Sequence, residues 1–167
     1  VTDRVRAAVP EDLEGLAAIE DEADSALVDL LHPERWDPAP SGVERAAQPG
    51  FVLVAEVDGR VVGFAHVLTT AGWAHLEQLS VLPAHGRRGH GRALVEAAKE
   101  RARAEGYRTM TLRTFADVPW NAPFYASAGF VEQEPSTDAD RALVDVEARL
   151  GLDRLGRRVQ MGVELLS

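Results

Sequence analysis

Residues 83–94, Pro-Ala-His-Gly-Arg-Arg-Gly-His-Gly-Arg-Ala-Leu, set three glycines among three arginines where an extended segment gives way to a helical one. Glycine lets the backbone approach a ligand closely, and a helix N-terminus offers unpaired N–H groups to an anion. Arg87, Arg88 and Arg92 add cationic charge, so the segment suits a pyrophosphate. Gly86 and Gly91 have the outer spacing of a P-loop, but Arg92-Ala93 stands where Lys-Ser/Thr is required. That argues against phosphoryl transfer. Gly89-His90-Gly91 followed by Leu94 lacks the third glycine of the dinucleotide fingerprint, and no acidic residue follows about 20 positions on. A glycine-rich turn that only caps a helix is the alternative. Upstream, His75 and Glu77 lie two apart in an extended segment, so both project to one face and can reach one site. A solvated polar face is the alternative there. His66 is assigned a structural role, His85 and His90 belong to the glycine loop, and no spacing recurs that would hold a metal.

These residues need particular elements to hold them. Val5–Ala8 is expected as a short strand, and residues 11–24 as a helix preceded by Pro10, with Leu13, Leu16, Ala17 and Ala23 on its apolar side. His32–Gly50, with Pro33, Pro38, Pro40 and Pro49, is a loop with one short helix near Val43–Ala47. Phe51–Val57 and Arg60–Leu68 are strands, and Asp58-Gly59 between them signals a type I′ hairpin. Trp73–Leu82 is a third strand, Gly91–Glu105 a helix stopped by Gly106, and Arg108–Thr114 a strand. A short helix over Ala122–Ala128 precedes a strand from Phe130. A helix over Asp138–Leu150, closed by Gly151, then precedes a strand over Arg157–Leu165. Strand, glycine loop, helix and strand across residues 73–114 form a βαβ unit. The class is α/β, with a mixed sheet because of the hairpins.

With 167 residues, one domain is expected. The absence of Cys excludes a disulfide framework, thiolate metal sites and a cysteine nucleophile. Apolar stretches such as Phe51–Ala55 are far below the roughly 18 residues a membrane-spanning helix needs. No signal-peptide apolar region follows Asp3, Arg4 and Arg6, so a cytoplasmic protein is expected. Net charge is −9, but residues 1–80 carry −10, residues 81–115 carry +5 and residues 116–167 carry −4. So acidic a chain is ill suited to nucleic acid, which demands many phosphate-neutralising cations. One basic island in it suggests a small phosphate-bearing ligand, against the alternative of a solvated Arg-rich helix face.

Leu79-Ser80-Val81, Pro83 and then Arg88-Gly89-His90-Gly91-Arg92-Ala93-Leu94 resemble the acetyl-CoA-binding signature of the GNAT superfamily of N-acetyltransferases, Gln/Arg-x-x-Gly-x-Gly/Ala. Downstream, Asn121 with Tyr125-Ala126-Ser127-Ala128-Gly129-Phe130 is similar to the family's Asn…Tyr-x-x-x-Gly-Phe segment. The similarity covers residues 5–134. Gly86 stands where the family has Gln or Arg, and the helix over Asp138–Leu150 is longer than the family's usual connection. The resemblance implies a largely antiparallel central sheet flanked by helices, with acetyl-CoA as co-substrate and no metal. It also implies direct attack of a primary amine on the thioester, which needs a base, an oxyanion donor and an acid for the leaving thiolate. A backbone N–H among Leu79, Ser80 and Val81 corresponds to the oxyanion donor. Tyr125 corresponds to the acid, and Glu77 or His75 to the base or to a proton-relay pair. The coenzyme would be bound by residues 79–81, by Arg87, Arg88, Gly89, His90, Gly91 and Arg92, and by Asn121. Trp73, Phe115 and Trp120 are candidates either for the acceptor pocket or for the core.

The acceptor itself, a small-molecule amine or a protein or peptide amine, is not encoded in these motifs. The acidic N-terminal half favours a cationic one. Neither nucleic acid nor membrane is expected as a partner, and the family's frequent dimers make a homodimer an expectation. The rival reading is a noncatalytic acyl-CoA-binding module, with a nucleotide-binding module behind it.

Overall fold

The computed structural model describes residues 3–165. Seven strands alternate with helices among them, the mixed α/β class expected. The chain falls into two compact units, one running to Met110 and taking in Leu165, the other Thr111–Glu164.

The first unit is built on β1 (Arg4–Ala7), β2 (Gly50–Val57), β3 (Arg60–Thr70) and β4 (Trp73–Val81), each antiparallel to the next. Asp58 and Gly59 both have positive φ (53° and 79°), the geometry a type I′ hairpin turn requires. The helix expected over residues 11–24 is broken at Glu14-Gly15. It becomes α1 (Pro10–Leu13) and α2 (Leu16–Leu31). It runs further because Leu27, Val28 and Leu31 continue the apolar stripe, and it stops where His32 turns left-handed (φ 48°). A Ser41–Glu44 capping box starts α3 (Gly42–Ala46).

Leu16 and Ile19 of α2 pack with Val52, Val54 and Phe64 on one face of β2 and β3. Alternation sends Phe51, Leu53, Ala65 and Val67 to the other face. There α4 (His90–Ala104) contributes Leu94, Val95, Ala98 and Ala102, and its Arg101 lies 4.4 Å from the Phe51 ring centroid. Both faces of β2 are therefore covered, which is why Phe51–Ala55 is an unbroken apolar run. Fully burying a side chain such as Leu94 or Phe64 contributes roughly 2–3 kcal/mol.

In the second unit, β5 (Thr109–Phe115, its first two residues belonging to the first unit) leads to α5 (Ala122–Ser127). Next, β6 (Val131–Gln133) pairs antiparallel with β7 (Arg158–Glu164). Between them α6 (Asp138–Leu150) has the predicted limits. Asp140 N–H donates to Thr137 Oγ1 (3.0 Å), Thr137 N–H donates back to Asp140 Oδ2 (3.1 Å), and Gly151 closes the helix at φ 75°. Among the described residues no helix is long and apolar enough to cross a membrane.

Candidate active site

The β3–β4 ladder breaks its register once. His66 is opposite Gln78 and Val67 is opposite Leu76, so Glu77 is an extra residue in β4. Such a bulge bends the strand and redirects the side chain it carries. The pair expected to share a face is brought together: His75 Nε2 lies 3.8 Å from Glu77 Oε2. That exceeds a direct hydrogen bond. His75 is buried (2% exposed), its ring stacked on Trp73 with centroids 4.9 Å apart. Glu77 reaches the surface. A buried imidazole leading to an exposed carboxylate is a route along which a proton can move.

Beyond the bulge, Leu82 N–H donates to Val62 O (2.8 Å). Antiparallel ladders alternate, so Ser80 N–H also points at β3 while those of Leu79 and Val81 point away from it. The Ser80 hydroxyl accepts from Gln78 Nε2 (3.0 Å). The strand then enters a single 3₁₀ turn (Pro83–His85) and the glycine loop. Arg87 has φ 59°, and Gly89, with φ 86°, opens α4 with no side chain capping it. The first-turn N–H groups of α4 have no partner within the helix, so it keeps its affinity for an anion. Arg87, Arg88 and Arg92 are exposed around it. A Cβ built on Gly89 meets no protein atom within 4 Å, so the space beside it is open. An uncapped helix end, an open glycine and three arginines fit a pyrophosphate. The His90 side chain does not join them. It is buried against His85, ring centroids 6.1 Å apart, leaving its backbone N–H for the loop.

Tyr125 and Asn121 belong to the second unit. Asn121 Oδ1 accepts from Thr114 Oγ1 (2.7 Å), tying the start of α5 to the end of β5. Tyr125 lies one turn later, its ring edge-on to Phe124 (5.2 Å) and Phe130 (5.9 Å). Burial raises its phenol well above 10, and the charge of Arg158 opposes that rise. Of the three aromatics weighed as pocket or core, Phe115 is core (3% exposed), Trp120 is exposed, and Trp73 covers His75.

His66 has the structural environment expected. It is fully buried, and Arg45 Nη1 lies 2.9 Å from its Nδ1 while Arg45 Nη2 donates to Glu20 Oε1 (2.7 Å). Arginine can only donate, so Nδ1 accepts and the proton of the neutral ring is on Nε2. Burial and the Arg45 charge lower its pKa to about 4. Nearby Asp24 is raised to about 6, chiefly by burial and then by Glu20, against a hydrogen bond from Trp36. Sequence reasoning missed Arg45 and Glu20, whose partners are 21 and 25 residues from Arg45.

Residues 16–130 match the Acetyltransferase (GNAT) family. Mycothiol acetyltransferase of Amycolatopsis mediterranei is 50% identical over 58 residues, 34% of this chain and 19% of that protein. The chain spans only 19–36% of the length of the curated relatives it matches. In fold it is similar to the ribosomal-protein-S18-alanine N-acetyltransferase of Escherichia coli (TM-score 0.72, 21% identity, 99% of this chain and 96% of that one). It is also similar to the PaiA N-acetyltransferase of Thermoplasma acidophilum in complex with coenzyme A (TM-score 0.71, 18% identity, 98% and 99%).

Proposed function

The chain belongs to the Acetyltransferase (GNAT) family, and from that premise we propose that it transfers the acetyl group of acetyl-CoA to a primary amine by direct attack. The observation that carries the reading is the bulge at Glu77. It holds a buried His75 and an exposed Glu77 within 3.8 Å on the strand that runs straight into the uncapped glycine loop.

Each part of the reaction has a candidate. When bound, the coenzyme supplies an acetyl group already activated as a thioester. The N-terminus of α4, with Arg87, Arg88 and Arg92, suits its pyrophosphate. The N–H groups of Leu79 and Val81, directed away from β3, suit donation to a carbonyl oxygen that gains charge. Glu77, with His75 behind it, takes the amine proton directly or through one water. Tyr125 gives its proton to the leaving sulfur.

The acceptor is a small-molecule or protein amine. The −10 charge of residues 1–80 supports a cationic one. The test is release of free CoA from acetyl-CoA across a panel of primary amines, polyamines, amino acids and N-terminal peptides. Turnover with at least one amine is expected. Tight acetyl-CoA binding with no release on any amine would instead identify the noncatalytic acyl-CoA-binding module.

A further inference from the structure

The two ends of the glycine loop touch each other through their side chains. His85 ends the 3₁₀ turn after β4 and His90 is the first residue of α4, so the two bracket Gly86-Arg87-Arg88-Gly89. Their rings meet edge to face, centroids 6.1 Å apart and planes at 63°. His90 is only 8% exposed. It stands four residues before Leu94, on the line that Ala98 and Ala102 continue, and those three are fully buried against the sheet. Periodicity calls for an apolar side chain at that place, yet an imidazole occupies it. The His85 ring is half-buried, and its Nδ1 is enclosed with no hydrogen-bond partner among the described residues. Packing, rather than a bond to that nitrogen, therefore sets the His85 ring, and His90 is the ring it packs on.

The four residues between the rings need such a contact. Arg87 holds a left-handed backbone (φ 59°), which costs an L side chain energy, and Gly89 follows at φ 86°. Strained backbone of this kind persists only where its surroundings over-determine it. On the strand side, His85 N–H donates to Leu82 O (2.8 Å) and Gly86 N–H to Pro83 O (3.1 Å). On the helix side, Ala93 N–H donates to Gly89 O (2.9 Å). Each of these bonds secures one end of the loop by itself. The His85–His90 contact spans it. The glycine signature leaves position 90 open and does not reach position 85, so it predicts no such contact.

We propose that His85 and His90 are positioning residues for the coenzyme pyrophosphate, their rings clasping the loop at its base. The clasp keeps the loop N–H groups, with those at the start of α4, in one arrangement that suits phosphate oxygens. The inference rests on this loop as the acetyl-CoA site of the proposed function. Neither imidazole touches the phosphates in this role. What the rings supply is order that exists before the coenzyme arrives, so less freedom is lost on binding. Without the contact, Arg87 is released to leave the left-handed region, and binding must restore the arrangement each time.

The test starts from His85, which lies outside α4 and is only half-buried, so His85→Ala should fold. His90→Ala, which keeps its backbone N–H, is the second variant, and His85→Phe restores a ring. Nitrogen-15 relaxation without ligand reads the loop itself. Order parameters of the Gly86 and Gly89 amides are expected at about 0.85 in the parent and below about 0.6 in His85→Ala, with His85→Phe near the parent. Calorimetry then compares CoA with pantetheine, which lacks the pyrophosphate. His85→Ala should weaken CoA binding roughly tenfold and leave pantetheine unchanged, while His85→Phe binds CoA as the parent does. Parent-like order parameters, or a parent-like CoA Kd, in both alanine variants overturn the proposal. Equal weakening of CoA and pantetheine also overturns it, because a ring that only supports the fold would do that. A parent that binds no CoA overturns the reading of the loop as the coenzyme site, and the proposal with it. That result is distinct from a parent that binds CoA and variants that bind it equally well.

Discussion

The imidazole of His75 stacks on the ring of Trp73 and holds its Nε2 3.8 Å from Glu77 Oε2. A ring so held has one nitrogen aimed at a carboxylate that can exchange protons with solvent. If the pair takes the amine proton, the acid limb of kcat/KM reports it. Glu77→Gln and His75→Gln should each lower kcat/KM by roughly 10²–10⁴-fold and displace that limb. A double variant no worse than the poorer single one would indicate a shared relay. Full activity in both singles and in the double would rule the pair out as base.

Tyr125→Phe removes one oxygen from a ring packed between Phe124 and Phe130, so the fold should be retained. We expect kcat to fall roughly 10²–10⁴-fold with acetyl-CoA affinity little changed. Calorimetric Kd values beside steady-state kcat check both halves. A parallel loss of affinity would mean that the ring supports the coenzyme site instead.

Gly89 combines a left-handed backbone with open space where a side chain would project. Gly89→Asn keeps that backbone, because Asn tolerates positive φ, while filling the space. Thermal stability should change little, and acetyl-CoA affinity should drop roughly 10- to 100-fold as phosphate bonds are lost. Wild-type affinity by calorimetry would move the coenzyme site elsewhere.

The buried histidine makes stability depend on pH. His66 folds with its pKa at about 4, below the ordinary 6.5, so between those values the unfolded chain binds more protons than the native one. Its contribution is fully present above about 6.5 and is lost as pH falls to about 4, a loss of up to roughly 3 kcal/mol. Asp24 acts oppositely: raised to about 6, its contribution is present below the ordinary 3.8 and is lost as pH rises through 6. His66→Gln should therefore flatten the fall in urea-unfolding free energy between pH 7 and pH 4.5, and Asp24→Asn should steepen it. The same slope in all three proteins would contradict both assignments.

Much of the frame was legible because it depends on neighbours along the chain. Asp58-Gly59 turns as a hairpin because those two residues tolerate positive φ. α6 spans the predicted residues with Gly151 as its stop, and the glycine loop of residues 86–91 leads into a helix as its composition implied. What tertiary structure decided is what depends on residues far apart. The bulge that redirects Glu77 exists only in register with β3, where His66 and Val67 oppose Gln78 and Leu76. His66 is neutral because it is buried and because Arg45, on the short helix within a proline-rich stretch, is brought against it while also donating to Glu20. Glu147 joins arginines 34 and 11 residues away, partners that no local pattern along α6 indicates. Periodicity and turn chemistry are local energies that a sequence carries on its surface. The charge a buried group keeps depends on which distant partner the fold sets beside it, and that is decided only when the elements pack.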